Sequence, residues 1–133
     1  MNSNSKFQSA KEKMTGNPVF IDGLSTAKEA VEIMRNEKVD SLIVKKRSDE
    51  DVCGIVTVED LVRGVIIPGR RPEDVNVFEI MTKPVITVPA TMDIRYVARL
   101  LLRVDLWRAP VEENGEYIGM ISLSTIILEN EVF

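Results

Sequence analysis

Gly54-Ile55-Val56-Thr57-Val58-Glu59-Asp60 and Gly119-Met120-Ile121-Ser122-Leu123-Ser124-Thr125 are two versions of one phrase. Each runs from a glycine through two apolar residues to a hydroxyl residue, the pattern of a short strand that stops where a helix N-cap begins. Upstream, a shift of about 67 residues lays Met14-Thr15 on Met81-Thr82, Ile21 on Val88, Ala30 on Val97, Met34 on Leu101 and Val44 on Val111. Beyond Val44 the register drops by about two residues, which brings the two glycine phrases together. The chain is therefore read as two copies of one unit.

Each copy has the same order of elements. Val19-Phe20-Ile21 and Val85-Ile86-Thr87-Val88 each start just after a proline and are rich in β-formers, so each is expected to be a strand. Ala27, Ala30, Val31 and Met34, and then Ile94, Val97, Ala98 and Leu101, recur at helical spacing and predict a helix of about three turns. Leu42-Ile43-Val44 and Ala109-Pro110-Val111 are second strands, each leading through a polar turn into a returning strand, Val52 to Val56 or Tyr117 to Ile121. Helices start at Thr57 and Ser122. The fold class is thus α/β (α+β), two β-α-β-β-α repeats. The expected boundaries are a polar extension at 1–13, repeat 1 at 14–67, a Pro- and Gly-rich linker at 68–80 and repeat 2 at 81–133. A unit of about 55 residues exposes too much apolar sheet to stand alone, so the repeats are expected to pack sheet to sheet about a pseudo-twofold axis.

Composition narrows the function. The 133 residues are 44% hydrophobic and 29% charged, ordinary for a globular protein, and the longest apolar runs fall far short of a membrane span. The polar start, Met1 to Lys6, lacks the apolar core of a signal peptide, so a cytoplasmic location is expected. Cys53 is the single cysteine and there is no histidine, which removes disulfide scaffolds, imidazole metal sites and histidine-based nucleophilic mechanisms. A net charge of −4 with dispersed basic residues argues against nucleic acid.

The openings Met14-Thr15-Gly16-Asn17-Pro18-Val19 and Met81-Thr82-Lys83-Pro84-Val85, taken with the two closing phrases, resemble the CBS-domain family over residues from about 14 to 130. The likeness is greatest to the free-standing bacterial and archaeal CBS pairs. It implies a regulatory module that binds an adenine nucleotide or another adenosyl compound in the cleft between its repeats. It implies a homodimer joined through helices and an unidentified regulated protein, with no catalytic residue, metal ligand or required cofactor.

The resemblance also places a ligand. In Gly54-Ile55-Val56-Thr57-Val58-Glu59-Asp60, Ile55 lines the site, Thr57 offers a hydroxyl to phosphate, and Asp60 offers two acceptor oxygens to a ribose diol. The same four-residue spacing is a capping box, in which these side chains satisfy the first helical N–H groups, and the spacing alone does not separate the two roles. The other repeat completes the site through Val85, Ile86, Trp107 and Arg108. Leu106 to Val111 resembles the kinase gamma-subunit pattern in which a basic pair faces phosphate: Arg108 fits it, and Trp107 stands where that pattern has histidine. Arg108 reads equally as a strand-end surface charge, and Trp107 reads as packing. A second, weaker pocket would use Pro18, Val19, Ser41, Ser122 and Thr125, with Thr125 in the place of the aspartate. Asp40 puts a carboxylate near the first site and disfavours a long polyphosphate, so AMP or ADP is expected before ATP, with S-adenosylmethionine as a cationic alternative.

Other residues have plainer readings. Met34, Met81 and Met120 are expected to fill core, Cys53 to be a small buried hydrophobe, and Arg63, Arg70 and Arg71 to be solvated surface. Two further functions compete with the ligand sensor. A structural dimerisation domain with a vestigial pocket would use the apolar helices around Leu61-Val62 and Ile126-Ile127-Leu128. A small enzyme would have to use Glu59 and Asp60, successive helix residues that do not share a face.

Overall fold

The computed structural model describes residues 7–130 and 132–133. The described chain divides into two units, each with its own three-stranded sheet and core. The polar extension expected at 1–13 falls partly on residues 1–6, which lie outside the described residues.

The unit of residues 19–85 is built on β1 (Phe20–Ile21), β2 (Ser41–Val44) and β3 (Gly54–Thr57). β1 runs parallel to β2, and β2 pairs antiparallel with β3 in the register Ser41 to Thr57 and Val44 to Gly54. The first helix of the chain, α1 (Ala10–Lys13), packs in the other unit, and α2 (Ala27–Glu37) crosses between β1 and β2. Thr26 caps α2 in a full capping box with Glu29, and the helix buries Ala27, Ala30 and Met34, the face its spacing forecasts. Lys38 closes it in the left-handed region at φ 58°. Leu42, Val44 and Val56 face this helix in the core, while Ile43 and Ile55 pair on the opposite face of the sheet, as strand alternation requires.

After β3 the chain forms α3 (Val58–Leu61) and widens directly into a π turn, Val62–Ile66. Gly64 lies in that turn, and a side chain there would run into Ile80. The expected linker at 68–80 is a folded part of this unit. A 3-10 turn (Pro72–Asp74) leads to α4 (Val77–Ile80), and Val75 and Val77 are completely buried in the same core as Ile21, Ala27 and Val56. Backbone bonds fix it there: Ala27 N–H donates to the Val75 carbonyl, Val77 N–H to that of Ser25, and Phe78 N–H to that of Gly23. The turn residues around Pro68 and Gly69 end a helix, and two buried valines then anchor the segment to the core.

The unit of residues 7–18 and 86–133 repeats the plan. β4 (Val88–Pro89) is parallel to β5 (Arg108–Glu113), which pairs antiparallel with β6 (Glu116–Ser122) through a tight turn with Asn114 and Gly115 at positive φ. α5 (Ile94–Arg103) buries Ile94, Val97 and Leu101, and α6 (Leu123–Leu128) buries Ile126. The helix α1, capped by Ser9 and Glu12, belongs here, with Ala10 fully buried beside Val88 and Val97. Residues 7–13 are therefore structured, and the Met14-Thr15 segment that opens repeat 1 in the sequence packs on the sheet of the second repeat: Thr15 and Met120 exchange both backbone hydrogen bonds, at 2.8 and 3.1 Å. Likewise Thr82 and Ile55 exchange theirs, at 2.8 and 2.9 Å, so Met81-Thr82 belongs to the first sheet. The compact units divide near Pro18 and Val85, because each opening segment is an extra edge on the other repeat's last strand.

Candidate functional site

Thr57 ends β3 and is the N-cap of α3, 8% exposed. Its Oγ accepts from Asp60 N–H at 3.2 Å, while its own N–H and hydroxyl both donate to Asp60 Oδ2, at 2.9 and 3.1 Å. The capping-box reading of this spacing is thus fully formed. Asp60 is 6% exposed, and its other oxygen, Oδ1, accepts from Arg63 Nη2 at 3.2 Å. Arg63 is itself an exposed side chain, so the carboxylate has one oxygen tied to the backbone turn and one held by a guanidinium that reaches in from solvent. Arg63, expected to be solvated surface, is the partner of the buried aspartate, three residues on along the same helical face.

Strand pairing brings more of the expected residues to this end of the first sheet. Ser41 lies directly across from Thr57 and is buried, and the Asp40 carbonyl accepts from Val58 N–H at 3.2 Å. Asp40 itself is exposed. Ile55 is 4% exposed and Val19 lies half-buried against the core, whereas Val85 is not at this end: its N–H donates to the Cys53 carbonyl, beyond the opposite end of β3. Cys53 precedes β3 and is partly exposed, not the buried hydrophobe expected, because the strand starts only at Gly54.

The second unit holds the counterpart. Ser122 Oγ accepts from Thr125 N–H at 3.1 Å and bonds the Thr125 hydroxyl at 3.1 Å, a cap with the carboxylate removed. Arg108 pairs across from Ser122, and the Trp107 carbonyl accepts from Leu123 N–H. The structure therefore sets Arg108 beside Ser122 within one unit, as it sets Ser41 beside Thr57 in the other. Pro18 and Ile86 are half-buried and lie at this unit's chain ends. Trp107, expected to pack, is 58% exposed: β5 begins only at Arg108, which leaves the indole in the connection from α5 and outside the sheet's alternation.

Two aspartates are lowered from their usual range, Asp51 well below it, as are Glu73 and Glu79 beside their arginines. For Asp51 the first cause is the Lys83 ammonium, at 2.8 Å, followed by the backbone and side chain of Arg47. For Asp93, the cap of α5, it is the Arg95 guanidinium, at 2.9 Å. The sequence singles out neither, since no local spacing announces Lys83 beside Asp51 and an aspartate at a helix start is commonplace. Among the described residues no three acidic, histidine or cysteine side chains converge on a metal position, and no helix is long and apolar enough to cross a membrane.

Two capped strand-to-helix corners on two copies of a βαββα unit are the features of a CBS pair, and residues 10–66 and 77–130 each match the CBS domain. The chain belongs to the CBS-domain family. It is 32% identical over 118 residues to an uncharacterized protein of Methanopyrus kandleri, covering 88% of this chain and 57% of that protein's length. A hexameric CBS-CP12 protein from bloom-forming cyanobacteria is 39% identical with a TM-score of 0.89, over 93% of this chain and 68% of the other. A CBS domain pair solved in complex with 5′-methylthioadenosine and S-adenosyl-L-methionine shares the fold at 20% identity and a TM-score of 0.76, over 91% of this chain and 94% of the other.

Proposed function

We propose that this chain is a regulatory module that binds an adenosyl ligand, AMP or ADP in preference to ATP, and acts on a partner protein without catalysing a reaction. The observation that carries the reading is Asp60, a buried carboxylate with Oδ2 committed to the Thr57 cap and Oδ1 held by an exposed guanidinium. An ionised carboxylate has about four acceptor positions, and three are in use, so a ribose diol gains its full pair of bonds by displacing Arg63 from Oδ1. Arg63 is an exposed side chain that can turn back into solvent, so its one bond to Asp60 Oδ1 is exchanged for the pair that the diol supplies. For Arg108 the reading rests on the sequence pattern, in which a guanidinium at the start of the second strand grips phosphate with two parallel bonds. The complex of a related pair with two adenosyl compounds supports the ligand class. Exposed Val62, Ile66 and Ile67 in one unit, and Ile127 and Leu128 in the other, support a homodimer through helices.

Calorimetric titration of the full chain with AMP, ADP, ATP and S-adenosylmethionine tests this. Binding of AMP or ADP at least tenfold tighter than ATP is the expected result. Absence of heat and of any thermal shift with all four would leave the structural dimerisation role in its place.

A further inference from the structure

At the other end of the first sheet from Thr57 lies a cavity of about 590 Å³. It opens where the parallel strands β1 and β2 end, the position at which sheets with parallel strands receive ligands. The turn after β1 supplies Gly23 and Leu24, the chain leaving β2 supplies Lys45 to Arg47, and α4 with its continuation supplies Phe78, Met81 and Lys83. Its size falls within the range of about 300–1,000 Å³ typical of small-molecule sites.

The lining has two characters. Val44 and Met81 form an apolar base, and Leu24 and Phe78 stand over it 75% and 51% exposed, a large apolar area left in water. Around it stand Lys45, Lys46, Arg47 and Lys83, against one lining carboxylate, Asp22, whose Oδ1 is engaged by Leu24 N–H at 2.8 Å. Asp51 outside the lining accepts from both Arg47 Nε and Lys83 Nζ and so fixes two of the cations in place. Lys45 and Lys46 have no ion-pair partner among the described residues. A chain of net charge −4 thus concentrates positive charge on one apolar recess.

We propose that this recess is a second ligand site, for a small organic anion with an aromatic or branched apolar body and a terminal carboxylate, sulfonate or phosphate. The apolar body rests on Leu24 and Phe78 in place of water, and the anionic end meets the Lys45 and Lys46 ammonium groups. The site is independent of the adenosyl reading: it draws on the opposite end of β2 and β3, about 10 Å away at the rise of a strand.

The test is titration of the ¹⁵N-labelled full chain with phenyl phosphate, with inorganic phosphate and with benzyl alcohol, followed by amide shifts. Phenyl phosphate is expected to shift Leu24, Lys45 to Arg47 and Phe78 together, and to bind at least tenfold more tightly than either of the other two. Lys45→Glu with Lys46→Glu, both on exposed positions, should weaken it at least tenfold and leave AMP affinity as it was. Phe78→Ala should weaken phenyl phosphate while leaving inorganic phosphate unaffected. Shifts centred on Thr57 to Arg63 instead, equal affinity in the double lysine variant, or no shifts at millimolar phenyl phosphate would each overturn the proposal.

Discussion

Met81 lies over Gly54, its sulfur 3.0 Å from the point where a side chain at that glycine would begin, with the Thr82 carbonyl oxygen equally close. Met14 lies over Gly119 in the same way in the other unit, with the Gly16 carbonyl 3.3 Å off. The opening Met-Thr of each repeat and the closing glycine of the other are thus one packing device. Gly54→Ala forces the backbone at Thr82 to move and should destabilise by about 1–3 kcal/mol. At Gly119 the nearest obstruction is a flexible thioether. In urea denaturation, Gly119→Ala should therefore couple strongly to Met14→Ala, which makes room, whereas Gly54→Ala and Met81→Ala should stay closer to additive because the carbonyl remains. Equal coupling in the two pairs would contradict this account.

That device also shows where sequence reading reached and where it stopped. The shift of about 67 residues finds Met14 and Met81 as equivalents, because repetition survives without knowledge of contacts. It does not show that each crosses to the other repeat's sheet, since adjacency in sequence says nothing of which edge a segment joins. The helices around Ala30 and Val97 are legible through their period, and the Thr57-Asp60 corner through its capping spacing. Val75 and Val77 are not, because two buried residues are too few to make a period, and the prolines before them read as a linker. The basic recess draws its lining from three separated segments, so only Lys45-Lys46-Arg47 leaves a local trace.

Acid stability should report on Asp93. Its folded carboxyl is held below the unfolded value by the Arg95 guanidinium, so its contribution is complete above about pH 4 and disappears as pH falls through the folded value. Asparagine is also a good N-cap, and Arg95 is well exposed, so Asp93→Asn should cost no more than about 1 kcal/mol at pH 7. The difference from wild type should shrink as pH falls through the folded value. With no histidine in the chain, the wild-type melting temperature should be nearly flat from pH 5 to 8. A constant offset of the variant at every pH would show that the charge plays no part.

Arg63 should act as a competitor for the ligand. Its guanidinium occupies the Asp60 oxygen that a ribose diol would take, and it reaches that buried carboxylate from a side chain that is itself mostly in water. Arg63→Ala is therefore expected to raise AMP affinity by up to about fivefold and to change the melting temperature little. A tenfold loss of affinity would mean instead that Arg63 grips the phosphate.

Asp60 separates capping from binding when two replacements are compared. Alanine removes both roles: the turn loses two bonds to Oδ2, for about 1 kcal/mol of stability, and the ribose loses a charged acceptor. Hydrogen bonds to a charged partner contribute roughly 1.5–3 kcal/mol each, so AMP affinity should fall on the order of a hundredfold. Asparagine keeps an oxygen for the Thr57 N–H and largely preserves the cap, yet it then turns an NH2 donor toward the diol in place of the second carboxylate oxygen and should weaken AMP at least about tenfold. Thr125→Ala, at the corner that lacks the carboxylate, should weaken AMP less than either. Melting curves and AMP titrations on the three variants give the ordering: if affinity tracks the melting temperature across all of them, Asp60 only caps its helix. If affinity falls for asparagine while the melting temperature holds, the carboxylate oxygen left outside the cap is what the ligand uses.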